Sequence, residues 1–88
     1  MSNSEYEVMT ARIARVERDL TKLLGKCCEN APDIKYGWSG SSIDVYLTGG
    51  NWQIRIMIER HIENSKMYRS VSIANNDPKK TISFYLND

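Results

Sequence analysis

The apolar residues of this chain change their period once, near Pro32, and that switch limits the fold more than any other feature. Before it, Tyr6, Met9, Ile13, Val16, Leu20, Leu23 and Cys27 recur at intervals of three and four. Such spacing sets them in one stripe along an α-helix. Ser4 and Glu7 stand three apart at its start, the pattern of a capping box, in which each side chain satisfies an otherwise unpaired amide. Arg12, Arg15, Arg18, Lys22 and Lys26 fall outside the stripe. The spacing predicts a helix over about 5–29, ended at the latest by Pro32.

Beyond Pro32 the period is two, the repeat of a strand with one buried face. Turn positions then test the register. With SGSS (39–42) as a loop, Trp38 faces Ile43, Tyr36 faces Val45 and Ile34 faces Leu47. With Gly49-Gly50 as a two-residue turn, Leu47 faces Trp52, Val45 faces Ile54, Ile43 faces Ile56, and Asp44 meets Arg55 on the other side. A turn at Asn64-Ser65 sets Ile58 opposite Val71, and one at NDPK (76–79) sets Ile73 opposite Ile82 and Val71 opposite Phe84. Each turn keeps apolar residues on one face, and a one-residue slip would break the pattern. The expected fold is α+β: an N-terminal helix packed on a five-stranded antiparallel meander (33–38, 43–48, 52–62, 67–74, 80–86), in two layers, as one domain over 1–88.

One helix is about 10 Å wide, whereas five strands span roughly 20 Å. The helix leaves part of the apolar face bare, near Trp38 and Trp52, so self-association is expected. A chain of 88 residues buries a limited core, which points the same way.

A formal net charge of +1 gives no global attraction to nucleic acid or an anionic membrane. No apolar run approaches the ~20 residues of a membrane span, and the polar, acidic MSNSEYEVMT is unlike a signal peptide. A cytoplasmic location is expected. Cys27 and Cys28 are adjacent, which suits reduced thiols better than a disulfide. One histidine beside them makes no metal-ligand set, and no cofactor motif is present.

In the expected sheet the outer face carries Tyr46, Arg55, Met57, Tyr68 and Tyr85, with lysine scarce. Tyr, Met and Arg are enriched at protein interfaces and Lys is depleted. The first function expected is therefore a protein-binding module acting by surface contact, as an inhibitor, adaptor or regulator of the kind phage and mobile elements encode. A second class rests on Arg60 and Arg69, which the register sets opposite each other on the inner face. Paired guanidinium forks suit a nucleotide or another anion. A third rests on Glu59 and His61, side by side on the outer face with Arg55 further along. A carboxylate, an imidazole and a guanidinium could cleave RNA by acid–base transfer. Stacking of nucleic acid on the tyrosines has weaker support, since they lie in no basic patch.

Overall fold

The computed structural model of the chain describes residues 3–25, 33–48 and 52–87. Helix α1 (Asn3–Leu24) is the one the three-four spacing predicts, though it starts ahead of Ser4 and takes that residue into its first turn. It buries Met9, Val16, Leu20 and Leu24, with Ile13 and Leu23 at the margin of the core. The Gly25 amide donates to the Thr21 carbonyl at 2.8 Å as the helix closes. The expected extension to 29, with Cys27 and Cys28, lies outside the described residues, as does the Gly49-Gly50 turn.

Strands β1 (Asp33–Ser39) and β2 (Ser42–Thr48) pair in the expected register, Ile34 opposite Leu47, Tyr36 opposite Val45 and Trp38 opposite Ile43. Only Gly40 and Ser41 separate Ser39 from its partner Ser42. Gly40 has a φ of 60°, a left-handed conformation that short hairpins need and that glycine adopts without a Cβ penalty.

The expectation fails at 52–62, which is not a strand but part of a second helix, α2 (Trp52–Asn64). Its apolar residues alternate, yet Ile54, Ile58 and Ile62 also recur every four positions, and these are the ones buried. Arg55 Nη1 and Glu59 Oε1 pair at 3.1 Å. Four residues apart on a strand, they would stand about 13 Å from each other.

With 52–62 out of the sheet, strands β3 (Tyr68–Ile73) and β4 (Ile82–Leu86) complete a four-stranded antiparallel sheet of order β1-β2-β4-β3. β4 takes the place beside β2: Ile43 faces Phe84, Val45 faces Ile82, and Asp44 meets Ser83 rather than Arg55. β2 and β3 are each antiparallel to β4 and so run parallel to one another, with α2 in the connection between them. The element string is that of the split β-α-β-β-α-β unit with its first strand moved to the end. Connectivity of this kind implies no activity.

Side chains of α1, α2, β2, β3 and β4 join one hydrophobic cluster, centred on Leu20, Ile43, Ile58, Ile62, Ile82 and Phe84. All its sheet members lie on one face, so both helices cover that face, and no helix among the described residues covers the other. The helices also touch each other: His61 Nε2 of α2 lies 2.8 Å from Asp19 Oδ2 of α1. The area that one helix could not cover is covered by α2.

A bulge in β3 decides which residues point outward. Ile73 faces Ile82 as expected, but the register shifts between Arg69 and Ser72, and Arg69 faces Tyr85 while Tyr68 faces Leu86. Ser70 and Val71 therefore stand together opposite Phe84, two residues against one, with Ser70 at a φ of 54°. Past the bulge, inner and outer positions exchange.

Candidate functional site

The uncovered sheet face is built around one row. Gly37 pairs with Asp44, Asp44 with Ser83, and Ser83 with Ser72, so the row crosses all four strands. At its middle the Ser83 hydroxyl donates to Asp44 Oδ1 at 2.6 Å. Tyr46 lies two residues beyond Asp44, and Tyr85 two beyond Ser83 on an antiparallel strand. The two tyrosines thus flank the row on opposite sides, about 14 Å apart by strand rise and spacing.

Each tyrosine carries a cation. Lys79 Nζ sits 4.7 Å from the centre of the Tyr46 ring, and the Arg69 guanidinium 5.2 Å from that of Tyr85. Such pairs attract through the ring quadrupole, by about 0.5–1 kcal/mol at exposed positions. Lys35 is the direct cross-strand partner of Tyr46 and adds a second positive charge there.

Lys79 is held by the turn before β4. Asp77 Oδ1 accepts from the Lys79 amide at 3.0 Å and Oδ2 from the Thr81 hydroxyl at 2.9 Å. The backbone bond from Lys79, then the one from Thr81, hold the Asp77 carboxyl below the usual carboxylate range.

Of the residues singled out in the sequence, Tyr46 and Tyr85 lie on this face. Arg69 joins them there, not on the inner face, because of the bulge. Tyr68 makes the opposite move: it is 5% exposed, with its ring edge-on to Phe84 at 4.8 Å. Its hydroxyl donates to Asp19 Oδ2 at 2.5 Å. Burial, then that hydrogen bond, push the Tyr68 pKa upward.

Arg55 and Met57 belong to α2 rather than to the outer sheet, and Met57 packs partly against the core. Arg60 is an exposed residue of the same helix, beside Trp52, Ile56 and Met57 at an open groove of about 370 Å³. It is therefore not opposite Arg69, and the paired-guanidinium geometry behind the anion site is absent. Glu59 and His61, two apart on a helix, are turned about 200° from each other. Glu59 is engaged by Arg55 and His61 by Asp19, so the side-by-side geometry expected on a strand is absent too. Tyr68 and His61 stand edge-on at 6.4 Å and share Asp19 as a partner.

Trp38 belongs to β1 and Trp52 to α2, and they line different grooves. Trp52, 64% exposed, opens α2. Trp38 lines a groove of about 480 Å³ with Val8, Met9 and Arg12 of α1.

The sequence reading placed Asp44 on the outer face, though opposite Arg55 rather than Ser83, and missed Lys35 and Lys79 as members of it. Lys79 carries a signal only when β4 is known to lie beside β2, because that pairing brings the NDPK turn over Tyr46. Among the described residues no three His, Cys, Asp or Glu side chains gather as metal ligands. Among the same residues no helix is long and apolar enough to cross a membrane. No family model, curated protein or solved structure matches the chain.

Proposed function

We propose that the chain is a protein-binding module that acts by surface contact, as an inhibitor, adaptor or regulator. The observation that carries this is the uncovered sheet face with two cation-bearing tyrosines. Tyrosine and arginine are favoured interface anchors: tyrosine offers large, stiff contact area at low entropic cost, and arginine a planar fork of donors. A sheet uncovered on one side presents them on a flat, prearranged surface, so little ordering opposes binding.

The test is affinity capture by the tagged full chain, repeated with Tyr46→Ala/Tyr85→Ala and with Trp52→Ala, each checked for native circular dichroism. A partner kept by the wild type and Trp52→Ala but lost by the double variant supports the reading. A partner lost with Trp52→Ala and kept by the double variant overturns it and points to α2. Sedimentation of the same samples shows whether a second copy is the partner.

A further inference from the structure

The charge pattern of the sheet face names the chemistry of its partner. This step rests on the binding reading above. Along the diagonal Tyr46–Asp44–Tyr85 the face presents cation, carboxylate, cation: Lys79 with Lys35, then Asp44, then Arg69. The backbones of the two tyrosines lie about 14 Å apart with Asp44 near the middle, and Lys79 and Arg69 lie 4.7 and 5.2 Å from the centres of their rings.

A second copy fits this pattern poorly. A two-fold axis centred on the face sets each position against itself or its mirror position. Cation then meets cation, and Asp44 meets Asp44. A nucleic acid fits poorly as well, because its phosphates are uniformly negative and one must pass close to Asp44. The formal net charge of +1 supplies no wider field to offset that repulsion.

An extended protein segment fits. Side chains at i, i+2 and i+4 of a strand point the same way and span about 14 Å. We propose that the face binds an extended segment of a partner protein that presents carboxylate, cation and carboxylate at alternate positions. The two carboxylates meet Lys79 and Arg69, the central cation meets Asp44, and the tyrosine rings cover the stems between them. Ser83 occupies one oxygen of Asp44 and aims the carboxylate, leaving the other for the incoming cation.

The experiment is a titration of the ¹⁵N-labelled full chain with three probes at one ionic strength. The first is a disulfide-cyclised hairpin peptide with glutamate, lysine and glutamate at alternate positions of one strand, threonine between them. The second is its isomer with the order glutamate, glutamate, lysine, of identical net charge. The third is an oligothymidylate. The first peptide is expected to shift the amides of Asp44, Tyr46, Arg69, Ser83 and Tyr85. It should bind about fivefold tighter than the isomer, the worth of one well-placed ion pair of ~1 kcal/mol. Asp44→Asn, which keeps an acceptor for Ser83, should reduce the preference without removing it, since the isomer still sets its lysine against a cation, and Arg69→Gln should weaken the first peptide.

Equal affinity for the isomers, tighter binding of oligothymidylate, or no binding of the first peptide overturns the charge-pattern inference. If these occur while a captured natural partner still shifts the same five amides, the binding reading stands alone. If the natural partner shifts only α2, the binding reading fails with it.

Discussion

The Tyr68 hydroxyl donates to Asp19 Oδ2 at 2.5 Å, joining the first residue of β3 to α1. The same oxygen takes His61 of α2 at 2.8 Å, so one carboxylate oxygen links three elements. Tyr68→Phe removes one bond and leaves Asp19, still partly exposed, paired with His61. The expected cost is about 1 kcal/mol in urea unfolding. Asp19→Ala strands a buried hydroxyl and should cost more, about 2 kcal/mol. A double-mutant cycle should show coupling between the two substitutions, whereas additive costs would mean that the bond contributes nothing to stability.

Tyr36 and Tyr68 predict a loss of stability in alkali. Burial, then the nearby Glu17, push the Tyr36 pKa from the ordinary 10.0 up to about 12. Tyr68 is pushed upward in the same way, by burial and then by Asp19. In the unfolded chain both titrate at the ordinary value, so the unfolded state releases its protons first. Both contributions are complete below pH 10.0; that of Tyr36 is lost as the pH rises toward about 12, and that of Tyr68 falls through the same window. Urea midpoints measured across that window should fall for the wild type. They should fall less for Tyr36→Phe and least for the double phenylalanine variant.

Ile56 and Ile58 distinguish α2 from a strand. On a strand they would share a face and cost much the same to truncate. On α2, Ile58 is fully buried and Ile56 only partly. Ile58→Ala should cost about 3 kcal/mol and Ile56→Ala about 1 kcal/mol. Equal costs in chemical denaturation would contradict the helix.

Ser70 and Gly40 test the backbone. Ser70 holds a left-handed φ of 54° at the bulge, a conformation that costs a residue with a Cβ about 1–2 kcal/mol. Ser70→Gly should stabilise by a few tenths to about 1 kcal/mol, the gain reduced by the larger entropy of glycine in the unfolded chain. Ser70→Val should destabilise by about 1–2 kcal/mol. Gly40→Ala should also cost about 1–2 kcal/mol through conformation alone, since an added Cβ would meet no atom within 4 Å. Thermal unfolding of the three variants gives the order; a stabilising Ser70→Val would refute the bulge.

Two parts of the fold were legible in the amino-acid sequence because local pattern is enough to specify them. The stripe from Met9 to Leu20 has a period only a helix satisfies, and the β1–β2 register follows from a short turn with apolar residues paired across it. The sequence also showed that one helix cannot cover the sheet. The element that covers it was not legible, because Trp52–Ile62 satisfies two periods at once: isoleucines alternate, and isoleucines recur every four residues. Tertiary packing decided between them, since as a helix the stretch buries Ile54, Ile58 and Ile62 over apolar surface that a fifth strand would have enlarged. The same decision put β4 beside β2 and so brought Lys79 over Tyr46. The bulge at Ser70 was equally hidden, because one unpaired residue leaves the alternation before and after it intact. Yet that residue turned Tyr68 inward to Asp19 and Arg69 outward to Tyr85. The sequence determined which segments could be apolar-faced, but only long-range packing determined which face each side chain occupies, and the candidate binding surface depends on the face.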